Sequence, residues 1–474
     1  MIDNKKNSNR FFTSIWIVFF ILLISYSVYI LLVSPDLLLS SKPATKEIIP
    51  YTAFRIILGL YFFIAVFNIK KITDNRLWLW VIVVVGLISR IILIPSQPVL
   101  EDDYYRYLWD GAVTAHGYNP FKYSPADAMN VGNQNVPEEI HKLANDSEGI
   151  IKHINYPQIR TIYPMLSQFV FAAAYTTSPW AFEFWKVYLL VFDIFLLFLL
   201  IKILKHLRLP LIFVSIYWLN PIVLHEFFNA AHMDLLALLF VMLSLYLYLN
   251  NKMRFAVIIL ALATGFKLWP VVLLPLILRK VWYDKKQLTK LSSIFVGFVI
   301  LIFLPVILSN PDESLGFVKY AEKWVNNAAF YTIYKWVLNQ LLNMLQINVG
   351  CLLCLNRLGV LIIYVITAIF IFKKVPKDNY QFFTKALLIV AVLYLISPTQ
   401  FPWYYTWFVP LLVIRPKASL FLYPLLLPLY QIKYLSGYII YIEHIPVLLL
   451  FILEMKGLIW KNLYPQMELT PTNS

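Results

Sequence analysis

The sequence predicts an all-α, polytopic integral membrane protein, and three observations carry that expectation. Hydrophobic residues make up 60% of the 474 positions and charged residues only 14%, with a mean hydropathy of +0.70, outside the range of a water-soluble globular domain. Apolar runs long enough to cross ~30 Å of hydrocarbon, about 20 residues each, recur along the chain. In lipid such runs must be helices, because every backbone group needs a partner within its own segment. Lys and Arg gather in short clusters between the runs rather than on one polar patch. The net charge of +15 therefore encodes membrane orientation and argues against nucleic acid as a partner.

The first run, Phe11 to Val33, is too long for a signal-peptide core and is followed by Ser34-Pro35-Asp36 with no small-residue cleavage site, so a retained span is expected. Basic clusters at Lys5-Lys6, Lys70-Lys71, Lys202 to Arg208, Lys252 to Arg254, Arg279 to Lys290 and Lys373 to Lys377 belong on the cytoplasmic face. With spans at about 11–33, 51–69 and 77–94, the long polar segment 95–163 then emerges on the outer face as the outer catalytic loop. The apolar stretch 165–178 must stop at half depth, because a full crossing would turn every basic cluster from 202 to 290 outward. Spans follow at about 181–203, 210–226 and 233–250. Residues 255–280, broken at Gly265 and Trp269-Pro270, read as a hairpin of two half-helices with Lys267 at its turn. An outer amphipathic region, 310–350, separates a span at 291–309 from those at 356–373, 384–398, 402–414, 418–432 and 436–455. This gives about eleven full spans and one hairpin, or 11–13 transmembrane helices, in one membrane domain over 1–474. Both termini are expected in the cytoplasm, with a disordered tail at 464–474. No repeat relates the two halves, a feature many secondary transporters show. Cys351 and Cys354, one helical turn apart with no other ligand nearby, read as packing residues rather than a disulfide or zinc site.

Four polar groups stand out against this background. In Glu101-Asp102-Asp103-Tyr104-Tyr105-Arg106-Tyr107-Leu108-Trp109-Asp110-Gly111, a helix would put Asp103, Arg106, Tyr107 and Asp110 on one face. A carboxylate at the bilayer edge is partly desolvated, which raises its pKa and makes it a proton acceptor for a hydroxyl. A self-satisfied surface ion cluster is the bland alternative. The second group is Asn220-Pro221, Glu226, Asn229, His232 and Asp234, near the outer end of two spans, where charged groups ordinarily face a cavity and Asn229 alternatively caps a helix. Lys267 is the third; it costs about 2.5–3.5 kcal/mol in mid-membrane unless it finds an anion. A lipid phosphate would serve, as would structural pairing with Asp234 or Glu226. The fourth is Ser397-Pro398-Thr399-Gln400-Phe401-Pro402-Trp403-Tyr404-Tyr405, whose prolines impose an irregular segment that membranes tolerate only against protein or a cavity. Glu443 and His444 add a further polar contact in the last span.

Asp102 to Gly111, followed by Gly117-Tyr118-Asn119-Pro120-Phe121, resembles the first outer loop of bacterial polyprenyl-phosphate-dependent mannosyltransferases with the C-type glycosyltransferase fold. Tyr163-Pro164, Asn220-Pro221 with Glu226, His232 and Asp234, Lys267 with Pro270, and Ser397-Pro398 with Pro402-Trp403-Tyr404 resemble further stations of that family in the same order. The resemblance implies an inverting hexosyltransferase, with mannose as the default sugar. It would use a polyprenyl-phosphate donor and a glycolipid or glycan acceptor on the outer side of a bacterial inner membrane. Asp103 or Asp102 would be the base. Arg106, Tyr107, Asp110, Asn119, Tyr163, Glu226, His232, Asp234, Lys267, Gln400, Trp403 and Tyr404 would bind substrate. Where relatives often carry His before the Pro-Trp-Tyr, this chain has Gln400-Phe401. A monophosphate leaving group requires no cofactor, although Asp102 and Asp103 can hold a divalent metal. A transporter or flippase, and a polymerase or ligase using a diphosphate-linked donor, are the competing expectations.

Overall fold

The computed structural model describes residues 2–309, 315, 316, 319, 324–347 and 350–460, with side chains from residue 10 onward. Most of the segment 310–323 and the tail 464–474 lie outside the described residues. Within them the chain is helical, and its extended pairing is an isolated parallel bridge between Asn326 and Thr399.

Three helices lead in: α1 (Ile2–Val33), α2 (Thr45–Phe67) and α3 (Arg76–Leu93). The polar segment after them folds as α4 (Asp103–Ala115), α5 (Pro125–Met129) and α6 (Glu138–Asn145), and α7 (Met165–Thr177) returns beneath α4. Thirteen residues of α7 reach only about 20 Å, short of a bilayer. Gly111 sets the approach of α4 to α7, since a Cβ there would lie 2.6 Å from the Phe171 carbonyl oxygen. Next come α8 (Phe182–His206), α9 (Ser215–Trp218), α10 (Pro221–Phe228), α11 (Asp234–Leu249), α12 (Met253–Phe266), α13 (Leu274–Leu278) and α14 (Lys285–Ile307). The last third is α15 (Ala329–Met344), α16 (Leu352–Phe372), α17 (Asn379–Ile396), α18 (Val409–Ile414), α19 (Tyr423–Leu426) and α20 (Ile439–Met455).

Among the described residues seven helices are long and apolar enough to cross a membrane: Arg10–Leu37, Thr45–Phe67, Arg76–Leu93, Phe182–His206, Lys285–Ile307, Leu352–Phe372 and Asn379–Ile396. The pair α9 and α10, bent by 51°, makes up to eight. The architecture is that of a multi-pass membrane protein, with fewer uninterrupted spans than the apolar runs suggest. Between 402 and 435 the chain runs through 3-10 turns, Pro402–Phe408 and Leu427–Leu435 among them, with only α18 and α19 as short α-helical pieces. Pro402, Pro410, Pro424 and Pro428 remove backbone donors there, and the 3-10 rise of about 2.0 Å per residue lets a shorter run reach as far.

Two buried clamps fix the start of the polar segment. Arg90 Nε of α3 pairs with Asp193 Oδ2 of α8 at 2.6 Å, and its Nη1 donates to the Trp218 carbonyl at 2.8 Å. Lys186 Nζ donates to the carbonyls of Leu93 and Ser96 at 3.1 and 2.5 Å, capping the C-terminal end of α3.

The cysteine expectation is corrected. Cys351 and Cys354 form a disulfide with Cα atoms 5.3 Å apart. Cys351 is not within the helix but at its N-cap, with a non-helical backbone (φ −132°, ψ 89°), so the pair bridges the helix start and falls within disulfide range.

Candidate active site

Asn229 sets the chain's path into the site. Its Nδ2 donates to Ser96 Oγ and the Gln97 carbonyl at 3.0 and 2.7 Å, and its Oδ1 accepts from Val99 N at 3.0 Å. Leu100 then adopts a left-handed backbone, φ +54°, and turns Glu101, Asp102 and Asp103 into a cavity of about 990 Å³. Glu101 Oε1 accepts the backbone N–H groups of Asp102 and Asp103, both at 3.1 Å. Asp102 Oδ1 accepts from Asn155 Nδ2 at 2.7 Å.

Crowding and burial change these acids. Burial pushes Glu101 up to about 7, against the pull of its two backbone donors. Asp102 also rises to about 7, first through burial and then through the charges of Glu101 and Asp103. Asp103 rises to about 6 through burial and Glu101, held back by His232 and Lys267. All three are acids poised to exchange a proton near neutral pH. One oxygen from each lies within 4.8 Å of the others, an oxygen-only donor set that suits a hard divalent cation.

His232 is the hub behind them. It is fully buried, with Nε2 3.5 Å from Glu101 Oε2 and 3.6 Å from Glu226 Oε2, and Nδ1 3.9 Å from Asp103 Oδ2. Its ring stacks on Trp403 at 3.9 Å, and Trp403 stacks on Phe401 at 4.2 Å. Glu226 turns its other oxygen to Arg55 Nη2 at 3.3 Å.

Lys267 lies where α12 stops: its extended backbone (φ −150°, ψ 144°) ends the helix. Its side chain reaches the same cavity as the three acids. There Nζ pairs with Asp234 Oδ2 at 2.9 Å and sits 5.2 Å from the Tyr404 ring centroid. Asp234 also accepts from Trp407 Nε1 at 2.6 Å. Cavity exposure and structural pairing, posed as alternatives by the sequence, coexist.

Asp102, Asp103, Arg106, Tyr163, Lys267, Trp403 and Tyr404 all line this cavity. The other expected site residues lie elsewhere. Tyr107 is buried, 3.5 Å from His232 Nδ1 and stacked on Phe171. Asp110, raised to about 6 by burial and held back by Arg106, accepts from Gln168. Asn119 donates to the Pro305 carbonyl at 2.8 Å. Gln400 donates to the carbonyl of Tyr394 at 2.9 Å, where α17 ends. Arg106 does not bridge Asp103 and Asp110 through its donors; these go to the carbonyls of Ile159, Asn155 and Tyr156 at 3.1–3.3 Å. Glu443 and His444 are buried one layer back, with His444 Nε2 3.1 Å from Asn327 Nδ2.

The cavity also takes Glu101, Asn155, Tyr156, Trp324 and Tyr430, none of them candidates from sequence. Only Glu101 carried a signal, its place in the acidic run. Its relation to the basic clusters is consistent: α3, α14, α16 and α17 each have Lys or Arg at the end away from the cavity.

No protein-family model, no curated protein and no solved structure matches this chain.

Proposed function

We propose that the chain is an inverting glycosyltransferase that moves a hexose, mannose by resemblance, from a polyprenyl-phosphate donor to a hydroxyl of a glycolipid or glycan. The observation that supports it most is that Asp103 and Lys267 line one cavity of about 990 Å³, a volume suited to a sugar and a phosphate. Asp103 accepts the proton of the acceptor hydroxyl, and the oxygen attacks the anomeric carbon. The bond from that carbon to the phosphate oxygen breaks, and the phosphate leaves with the electron pair towards Lys267. Lys or Arg at the far ends of α3, α14, α16 and α17 supports, by the positive-inside rule, a cavity on the outer face of the membrane, which the resemblance takes to be a bacterial inner membrane. No cofactor is needed in this scheme. A cation held by Glu101, Asp102 and Asp103 would supply positive charge to the phosphate.

A second reading, a transporter or flippase, draws on the ion pairs Lys267–Asp234 and Arg55–Glu226, of the kind that lines translocation paths. Purified protein in proteoliposomes separates the readings when it is supplied with polyprenyl monophosphate and diphosphate hexoses and the products are analysed by mass spectrometry. Transfer from the monophosphate is expected. Transfer from the diphosphate alone would point to a polymerase or ligase, and flux with no covalent product to transport.

A further inference from the structure

Tyr156 and Trp324 meet edge to face on the cavity wall, ring centroids 4.9 Å apart and planes at 64°. Tyr156 is 53% exposed and holds a left-handed backbone, φ +48°. A residue with a Cβ stays in that region only when its surroundings impose it, and such strain gathers at functional sites. Here the surroundings do impose it. Buried Arg106 donates to the Asn155, Tyr156 and Ile159 carbonyls, and Asn155 ties the same loop to Asp102. The Trp324 carbonyl accepts from Arg357 Nη2 at 3.0 Å and from Thr399 Oγ1 at 3.1 Å. Two segments distant in sequence are thus braced so that two aromatic rings stay at the open side of the cavity.

The neighbours decide what such a pair takes. Asn155 and Gln158 line the same cavity. An isoprenoid chain lying on the rings would strip water from those amides and return no hydrogen bond. A pyranose satisfies both chemistries, with its C–H face on the rings and its hydroxyls on the amides. We propose that Tyr156 and Trp324 form a carbohydrate subsite that holds a pyranose ring of the acceptor beside the Asp102 and Asp103 carboxylates. The role as acceptor site rests on the glycosyl-transfer reading; the binding of a sugar ring does not.

Isothermal titration of the detergent-solubilised full chain with mannobiose, cellobiose and, as the isoprenoid probe, farnesyl phosphate tests it. At least one disaccharide should bind saturably, and Tyr156→Ala and Trp324→Ala should each weaken it about tenfold, the scale of one lost aromatic contact. Farnesyl phosphate should bind unchanged, and Trp324→Phe should keep most of the sugar affinity. Tyr156 is exposed, so its removal leaves no core cavity, and Tyr156→Ser provides a second variant. Absence of saturable sugar binding, sugar affinity unchanged from wild type in both Ala variants, or a loss confined to farnesyl phosphate would overturn the subsite. Sugar binding without transfer from any donor would remove the transferase reading and leave the subsite. Transfer with an unchanged acceptor KM in both Ala variants would do the reverse.

Discussion

The Glu101 carboxylate faces two ways, one oxygen to the backbone of Asp102 and Asp103 and the other to His232. Its pKa of about 7, raised by burial, and that of Asp102, also about 7 through burial and then the charges of Glu101 and Asp103, lie above the ordinary carboxylate range. An acid whose folded-state pKa is raised stabilises the fold while protonated and loses that contribution as pH climbs through the folded value. The protein should therefore melt at lower temperature as the pH rises from about 4 to about 7, between the ordinary and the raised values of these acids. Glu101→Gln, whose amide oxygen still accepts the two N–H groups, should flatten that slope and gain about 1 kcal/mol at the upper end. Melting curves across the range check this; parallel slopes would locate the pH dependence elsewhere. At this scale the acids and Lys267 were legible, because charge beside hydrocarbon is too costly to lack a purpose. Tyr156 and Asn155 were not, since nothing in an ordinary loop composition reports a brace from Arg106.

Among the elements, the break between α12 and α13 does most to shape the site. Gly265 and Trp269-Pro270 made it readable in advance, and the extended Lys267 carries it out. Asp234 depends on Lys267 and Trp407 for its partners. Lys267→Met strands a buried carboxylate and should cost about 3–5 kcal/mol, seen as poor recovery of monodisperse protein. Adding Asp234→Asn should restore folding but not the affinity for a polyprenyl-phosphate donor. A double variant that binds the donor as tightly as wild type would remove Lys267 from the phosphate site. The stretch 402–435 was less legible, because an apolar run reports its hydrophobicity and not whether its hydrogen bonds close as α or 3-10 turns. The same limit applies at Cys351, where helical spacing argued against the bridge that a non-helical N-cap permits.

For the whole molecule, the cavity is carried by a bundle whose parts are joined by few buried charges. Arg90 ties α3 to α8 through Asp193 and to α9 through the Trp218 carbonyl, while Tyr217 donates its hydroxyl to Asp193. Arg90→Ala leaves Asp193 buried without its cation and should lower unfolding stability by about 3–5 kcal/mol, read from thermal melts in detergent. Arg90→Ala with Asp193→Ala should recover much of that loss, since both charges are gone. Helicity and multiple spans followed from composition and run length; the single cavity joining residues 101–103 to Lys267 is a tertiary fact that periodicity cannot show. The most direct measurement of what that cavity does is the transfer rate of Asp103→Asn against wild type from a polyprenyl-monophosphate hexose at neutral pH, with donor affinity measured alongside. A rate lower by about 10²–10⁴-fold with donor affinity kept is expected for a lost general base. An undiminished rate would contradict the assignment of Asp103 as the proton acceptor.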